Sequence, residues 1–353
     1  MGETPVTDEH RTSKTGKRAT INDVARVARV SKKTVSRVIN QSPFVREETR
    51  ERVMAVIAEL DFTPDAQARG LAFRRSFLVG LIYDQPSPNY VVNMQQGVLD
   101  GLKGSGLELV VHPCLRKSET LLQDIRTFVE RQKLFGVILP PSISEDEGVI
   151  QLLRDLDTPY VRIASVALDD ARAMVVTNDS VGAAEAARHL AALGHTRIAF
   201  ISGPPWFRSS AVRGDGFRAG LAESGLILDE AYVAVGGYTF ESGAECGARL
   251  LALDPPPTAI FTGNDEMALG VFKAARDMGL DIPRDLSVVG FDDLPMASRV
   301  WPNLTSVRLP IRDMGRMAAE KILAPMRGMD PAKLDQPEVR PSLVVRESAI
   351  PLP

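Results

Sequence analysis

Cysteine, histidine and long apolar segments are scarce in this chain of 353 residues. Its two cysteines, Cys114 and Cys246, cannot build a disulfide framework, and its four histidines leave little for a metal site. No run approaches the roughly 18 consecutive apolar residues that a membrane-spanning helix needs. The polar residues 1–17 also lack the apolar core of a secretory signal. We therefore expect a cytosolic protein that contacts no membrane and needs no metal or other cofactor.

The sequence also lacks the common motifs of enzymes. It contains neither a GxxxxGK[ST] phosphate-binding loop after a strand nor a GxSxG nucleophile turn. The glycines at 101, 104 and 106 precede a predicted strand, whereas a dinucleotide loop follows one. His189 and His195 lie at a predicted helix end, where packing explains them better than catalysis. We expect a protein that is not an enzyme.

Charge is divided unevenly along the chain. Residues 1–76 hold 15 Lys and Arg against 10 Asp and Glu, a net charge of +5, whereas the remainder carries −8. Between Arg11 and Arg46, ten basic residues accompany a single acid, Asp23. A basic segment on an acidic body indicates contact with a polyanion. Charge alone leaves open the alternative that this segment is only a solvated basic tail. For residues 1–18 we do predict a disordered basic tail.

The basic segment continues into two predicted helices joined by a tight turn. The first has apolar residues three and four positions apart, with Thr20 and Asp23 as a capping pair. Its apolar face consists of Ile21, Val24, Ala25 and Ala28. The second helix covers residues 32–39, with Ser31 as its N-cap. Its buried face consists of Val35, Val38 and Ile39.

The second helix is predicted to present a basic face to its surroundings. The outward residues of its N-terminal half are Lys32, Lys33, Ser36 and Arg37. The major groove of DNA admits a helix, and Arg or Lys matches the O6 and N7 acceptors of guanine. With a third helix over residues 46–60, this pattern indicates a helix-turn-helix reader of the major groove. A three-helix module that binds protein is the alternative.

From residue 77 onward, short apolar runs alternate with amphipathic stretches. The predicted strands are 78–83, 107–111, 136–139, 160–163, 175–176, 198–202, 259–261, 288–291 and 343–345. The predicted helices are 91–103, 119–132, 183–193, 211–223, 242–253, 265–278 and 312–326. This alternation predicts an α/β fold of parallel sheets covered by helices. Ligands of such sheets bind beyond the carboxyl ends of the strands, where Asp84 is expected.

Residues 20–71 resemble the DNA-binding head of the LacI (lactose/galactose repressor) family. The matching stretch is TINDVARVARVSKKTVSRVINQSPFVREETRERVMAVIAELDFTPDAQARGL. The resemblance implies that bases are read by Lys32, Lys33 and Arg37. It implies that phosphates are contacted mainly by Thr34, Ser36 and Asn40. Thr20 and Ser31, at the two helix starts, complete the predicted DNA-contacting set of the helix-turn-helix domain, residues 19–63.

Two features of the head modify this expectation. Arg29 stands where the family usually has glycine, which costs about 1 kcal/mol if its φ is positive. Residues 64–76 resemble the family's hinge helix, which forms on DNA and inserts apolar side chains into the minor groove. Ala68 and Leu71 lie three positions apart on one helical face, and Leu71 is the candidate wedge. A plain interdomain linker is the alternative.

The body resembles the effector domain of the same family. The matching stretches include TNDSVGAAEAARHLAALGHTRIAFISGP, TAIFTGNDEMALGVFKAARDMGL and DLSVVGFDDLP, so the resemblance extends over about residues 19–350. It implies that residues 77–353 form a two-lobed domain like periplasmic binding proteins. The lobe nearer DNA would comprise about 77–177 and 308–341, and the far lobe about 178–307 and 342–353.

The resemblance places an effector between these lobes. It implies that Arg213 is the main contact, joined by Tyr90, Ser209, Tyr238, Asn264 and Asp292. Asp292 and Asn264 could instead cap the following helix, and Tyr238 could belong to the core. Leu309 and Ala164 replace polar residues common in the family, so we expect a less polar near lobe that accepts a larger or partly apolar ligand.

Together these features predict a repressor that acts as a homodimer on pseudo-palindromic operator DNA. A small molecule between the lobes would switch its DNA affinity, and the resemblance favours a carbohydrate. A co-repressed regulator that senses a purine or another metabolite is one alternative. A sugar-binding protein without DNA function is the other.

Overall fold

The computed structural model describes residues 19–39, 44–62, 77–84, 87–334, 336 and 338–352. The chain divides into two compact units, Met1–Arg75 and Ser76–Pro353. The predictions for the tail, for Asn40 and for the hinge with Ala68 and Leu71 fall outside the described residues. They stay predictions.

The described residues of the first unit form three helices around a small apolar core. The helices are α1 (Ile21–Val27), α2 (Lys32–Ile39) and α3 (Glu47–Glu59). The core residues are Val24, Ala25, Ala28, Val35, Val38, Val53, Val56 and Phe62. The apolar faces predicted for the first two helices are therefore faces that pack in this core, and Val53 and Val56 of α3 pack with them.

The turn between α1 and α2 depends on one backbone conformation. Arg29 has φ +53°, in the left-handed region that favours glycine. The amide of Val30 then donates to the carbonyl of Ala25 at 3.0 Å, which closes the end of α1. The condition under which arginine in place of glycine is costly is therefore met, and Arg29 places an exposed guanidinium directly before α2.

Lobe 1 of the second unit is a parallel sheet in the order β2-β1-β3-β4-β5. The strands are β1 (Leu78–Tyr83), β2 (Glu108–Pro113), β3 (Gly136–Leu139), β4 (Tyr160–Ala164) and β5 (Met174–Val176). The helices are α4 (Pro88–Leu102), α5 (Leu121–Gln132), α6 (Glu147–Asp155) and α11 (Ile311–Leu323). Period-two alternation gives β1 two apolar faces, with Val79 and Leu81 toward α4 and α11 and Ile82 toward α5 and α6.

Lobe 2 is a second sheet in the order β11-β10-β9-β8-β6-β7, in which β11 alone is antiparallel to its neighbour. The strands are β6 (Ile198–Ser202), β7 (Val233–Val235), β8 (Ala259–Thr262), β9 (Ser287–Asp292), β10 (Thr305–Arg308) and β11 (Ser342–Val344). The helices are α7 (Asp179–Ala192), α8 (Arg208–Glu223), α9 (Phe240–Leu251) and α10 (Asp265–Asp277). Stacked Phe200, Phe217 and Phe261 fill the core beneath α7 and α8.

The connections between lobes bring their strand ends together. Among the described elements, the chain changes lobe between β5 and α7, between β10 and α11, and between α11 and β11. The carboxyl ends of the parallel strands in each sheet carry the loops that meet at the boundary. Ligands of parallel sheets bind at these ends, so the boundary is the expected place for a site.

The predicted elements that fall within the described residues are all present, with ends that shift by up to four residues. The structure adds α6, β7 and β10, which the apolar pattern did not indicate. β7 is a three-residue edge strand with an exposed Val235, and β10 has the largely polar sequence TSVR. No helix in the described part of the chain is long and apolar enough to cross a membrane.

Candidate functional sites

The predicted DNA-reading residues of α2 lie on its exposed face, opposite the face that packs in the three-helix core. Val35 and Val38 are buried in the three-helix core, whereas Lys32, Lys33 and Arg37 are exposed. Because the helix buries its opposite face, these three cations project from one unit in a common direction. The first unit thus offers a basic helical face of the kind that enters a major groove.

Short polar side chains fix the starts of α1 and α2. The hydroxyl and amide of Thr20 both donate to Asp23, at 2.7 and 3.0 Å, and these bonds lower the pKa of that carboxyl. The amide of Thr34 donates to the Ser31 hydroxyl at 3.1 Å, and the two hydroxyls lie 2.9 Å apart. Thr20, Ser31 and Thr34 are therefore engaged in capping, while Ser36 lies half-buried on α2.

The boundary between lobes contains a small polar cavity. It is lined by Tyr90, Pro141, Thr177, Asp179, Phe207, Ser209, Arg213, Tyr238, Asn264, Asp292, Leu309 and Met314. Six residues predicted to contact an effector, Tyr90, Ser209, Arg213, Tyr238, Asn264 and Asp292, are among them. The cavity volume of 20 Å³ is about what one water molecule needs. A ligand of several ring atoms therefore requires the lobes to separate before it enters.

Arg213 is the centre of the cavity's charge network. Its Nε donates to Asp179 Oδ2 at 2.7 Å, and its Nη1 donates to the carbonyl of Gly263. Its Nη2 lies 3.6 Å from Asp292 Oδ1, and its guanidinium lies 3.8 Å from the centroid of the Phe291 ring. A buried cation held by two carboxylates and an aromatic face keeps a fixed orientation.

Asp292 is the carboxylate of the cavity with unused hydrogen-bonding capacity. It follows the buried strand β9, and its Oδ1 accepts no hydrogen bond from any described residue. Burial raises the pKa of Asp292 to about 7, although Arg213 opposes the shift. A buried polar atom without a partner costs about 1–3 kcal/mol, which a ligand donor would recover.

Tyr238 and Asn264 hold each other in place beside Arg213. The Tyr238 hydroxyl lies 2.9 Å from the Ser210 hydroxyl, and its ring meets Phe207 edge-on at 5.2 Å. Asn264 donates to the carbonyl of Tyr238 at 3.0 Å and accepts from the amide of Met267 at the start of α10. Asn264 is thus a helix cap as well as a lining residue, and its polar groups are largely occupied.

Asp84 is not among the lining residues. Its carboxylate accepts from the backbone amide of Arg116 at 3.2 Å, so it ties the loop after β1 to the loop after β2. Its position at a strand end was the signal used for the prediction. That signal identifies the edge of the sheet but does not distinguish loop-forming side chains from ligand-facing ones.

Sequence reasoning missed Asp179, which is the closest acidic partner of Arg213. Asp179 begins α7 directly after the chain leaves lobe 1, and the Thr177 hydroxyl donates to it. Polar residues immediately after strand β5 were the available signal. The apolar residues on the other side of the cavity include Pro141 and Leu309, in agreement with the expected low polarity there, whereas Ala164 does not line it.

Neither unit offers a metal centre within the residues that the structure describes. No group of three or more His, Cys, Asp or Glu side chains lies close enough to hold an ion there. The free thiols of Cys114 and Cys246 are both sheltered, and burial raises the pKa of each. Both thiols are therefore poor nucleophiles at neutral pH.

Comparison with known proteins relates both units to one class of regulator. The profile described as bacterial regulatory proteins, lacI family, matches residues 20–65, and that of the periplasmic binding protein-like domain matches residues 187–349. Catabolite control protein A of Priestia megaterium is 35% identical over 302 residues, which are 85% of this chain and 90% of that protein.

Solved structures agree with this assignment over nearly the whole chain. A complex of the transcriptional regulator CelR with cellobiose has a TM-score of 0.69 at 30% identity and covers 94% of this chain and 100% of that one. The lac repressor dimer bound to operator and the anti-inducer ONPF has a TM-score of 0.76 at 28% identity, with coverage of 95% and 100%. The chain therefore belongs to the LacI family of bacterial regulatory proteins and is a DNA-binding transcriptional repressor, not an enzyme.

Proposed function

We propose that this repressor binds a pseudo-palindromic operator as a homodimer and that a carbohydrate bound between its lobes switches its DNA affinity. The observation that carries the proposal is the cavity around Arg213 and Asp292, in which a fixed guanidinium faces a carboxylate oxygen without a hydrogen-bond donor. Vicinal hydroxyls can accept from the first and donate to the second.

Charge supports a neutral ligand over an anionic one. The cavity lining contains one cation, Arg213, and two carboxylates, Asp179 and Asp292. Asp179 already occupies Nε of the guanidinium and balances its charge, so an added carboxylate or phosphate would meet no uncompensated positive charge. A neutral polyol avoids this repulsion and stacks its apolar ring face on Tyr90 or Tyr238. CelR in its cellobiose complex and the lac repressor, bound to ONPF, share this fold.

DNA recognition is assigned to α2. Lys32, Lys33 and Arg37 would contact base edges, while Thr34 and Ser36 at its side would contact phosphates together with Asn40. The lac repressor is a dimer on its operator in the solved structure. Two copies of α2 related by a two-fold axis read two half-sites of opposite direction, which is why the operator would be pseudo-palindromic.

The switch follows from the closed cavity. Because the cavity accommodates about one water, an effector binds a more open arrangement of lobes or closes them around itself. A ligand shifts the balance between two arrangements by the difference in its affinity for them. If DNA binding favours one arrangement, the effector and the operator are coupled reciprocally.

A gel shift with the DNA upstream of the repressor's own gene tests this proposal. The assay is run at two salt concentrations, with and without a panel of neutral sugars, uronates and purines. We expect a specific shift that one neutral sugar weakens or strengthens. A response to a purine alone would overturn the carbohydrate assignment, and a response to none of the panel would overturn the effector class. Only nonspecific, steeply salt-dependent binding would overturn the choice of operator.

A further inference from the structure

Three side chains of lobe 1 that do not line the cavity contact a single loop of lobe 2. Arg116 Nη1 donates to the carbonyl of Trp206 at 2.7 Å, and Lys117 Nζ lies 3.6 Å from the centroid of the Trp206 ring. Glu145 Oε2 accepts from the backbone amide of Arg208 at 2.9 Å. These contacts join the loops after β2 and β3 to the segment between β6 and α8.

The lobe 1 side of this contact is held in place by further contacts within lobe 1. The Arg116 amide donates to Asp84 and its Nε donates to Asp146 Oδ2 at 3.4 Å, both within lobe 1. The loop of Glu145 is supported by Arg162, which is fully buried and donates to the carbonyl of Ser144 at 2.7 Å. Side chains fixed in this way lose little conformational entropy when they bind across the boundary.

The lobe 2 side of the contact is continuous with the cavity. Phe207 and Ser209, which flank Arg208, both line it, and Phe207 packs against Tyr238. The Glu145 carboxylate lies at the start of the 16-residue helix α8, where the helix dipole favours negative charge. The loop therefore cannot leave lobe 1 without moving two walls of the cavity.

We propose that Arg116, Lys117 and Glu145 form a latch that holds the two lobes closed at the rim of the cleft. The latch stabilises the closed arrangement without touching the contents of the cavity. Its effect on effector release rests on the proposed function, whereas its effect on lobe closure does not. Weakening it accelerates opening and so shortens the time for which any ligand is retained.

A reciprocal experiment breaks one contact of the latch and observes the other. In a Trp301→Phe background, Trp206 is the sole tryptophan of the full chain, and acrylamide quenching reports its exposure. Glu145→Ala removes the acceptor of the Arg208 amide and does not touch the Trp206 ring. We expect the quenching constant of Trp206 to rise about twofold, since one charge-assisted bond shifts the closed-to-open ratio by roughly tenfold. Glu145→Gln retains an acceptor oxygen but loses the charge, so its quenching constant should lie between those of the parent and of Glu145→Ala.

The converse arm uses hydrogen exchange at the Arg208 amide. Arg116→Ala leaves the bond from that amide to Glu145 in place, yet we expect the amide to exchange about ten times faster, because the latch opens as a unit. Arg126→Ala, which removes a surface ion pair within α5, is the matched control and leaves the rate unchanged. If each substitution affects only its own contact while circular dichroism shows a folded chain, the contacts are independent and no latch exists.

Discussion

Three residues at or beside the cavity have unfavourable backbone conformations. Asn178 has φ +52°, Tyr238 has φ +62° and Asp292 has φ +103°, all in the region that favours glycine. Each such residue costs of order 1–3 kcal/mol and persists only where its surroundings impose it. Tyr238 is imposed by Asn264 and by Gly203, where a Cβ atom would lie 2.0 Å from the Tyr238 ring. The strain indicates that these residues are retained for the positions that they give to side chains in the cavity, at a cost in stability.

Asp292 gives the fold a dependence on pH. Its carboxyl, with a pKa raised from 3.8 to about 7, holds a proton in the folded chain where the unfolded chain has released it. The folded state therefore loses stability as pH rises through about 7. We expect the melting temperature of Asp292→Asn, measured by thermal unfolding, to fall less between pH 5 and pH 8 than that of the parent. An equal loss in both proteins would show that Asp292 is ionised throughout.

Arg213 is expected to separate sensing from DNA binding. Arg213→Ala removes the donor that a ligand hydroxyl requires and leaves Asp179 and Asp292 without their shared cation. We expect operator binding to remain and the effector response in the gel shift to disappear. Asp215→Ala, an exposed position of the same helix, is the control that keeps the response. Loss of DNA binding by a folded Arg213→Ala protein would contradict this division.

Arg37 is expected to carry sequence choice in the operator. It is exposed on α2, opposite the buried Val35 and Val38. Arg37→Ala should weaken operator binding by about 1–3 kcal/mol and reduce discrimination among operator variants, as measured by fluorescence anisotropy at one salt concentration. Arg52→Ala on the exposed side of α3 is the control. Equal weakening on every sequence would make Arg37 a phosphate contact instead.

Helices of the second unit approach each other through glycine. A Cβ atom on Gly97 of α4 would lie 1.9 Å from the carbonyl oxygen of Arg312 at the start of α11. The backbone oxygen cannot give way as a flexible side chain could. α11 is also the segment that enters lobe 1 after β10, so this contact joins two distant parts of the chain.

Gly97→Ala is therefore expected to destabilise the unit by about 1–3 kcal/mol, because it forces α4 and α11 apart. The change is measured as a lower midpoint of urea unfolding. Gln96→Ala, at the adjacent exposed position of α4, should leave the midpoint unchanged or slightly higher. A Gly97→Ala protein as stable as its parent would show that the helices can separate without loss.

Most elements were predictable because their apolar periodicity matches their burial. β1, β3 and β6 have the predicted bounds, since each is a short apolar run between polar loops. β10 escaped detection because the sheet buries Thr305 and Ser306 through hydrogen bonds, which hydropathy does not register. The cavity was predicted from family resemblance at Arg213 and Asp292. Asp179 was missed because it contacts Arg213 only after folding places the start of α7 beside α8, and the local sequence does not indicate that contact.

At the scale of the whole molecule, two chains are expected to act on each operator. One α2 presents a single basic face, and two faces are needed to read both half-sites. Sedimentation velocity with labelled operator should give a complex of two chains per duplex. The affinity for a duplex that contains a single half-site should be more than tenfold lower than the affinity for the full operator. Equal affinity for a half-site and a full site would show that one chain is sufficient.

The interleaved order of the two lobes bears on how the protein is made. Two elements follow residue 310, after every other described strand and α-helix. They are α11, which completes lobe 1, and β11, which completes the sheet of lobe 2. On the ribosome, neither lobe can reach its final packing until these elements emerge. The N-terminal three-helix unit is contiguous and needs none of them, and domains generally fold as units with the N-terminal one first. The nascent repressor is thus expected to complete its first unit before the two lobes of the second.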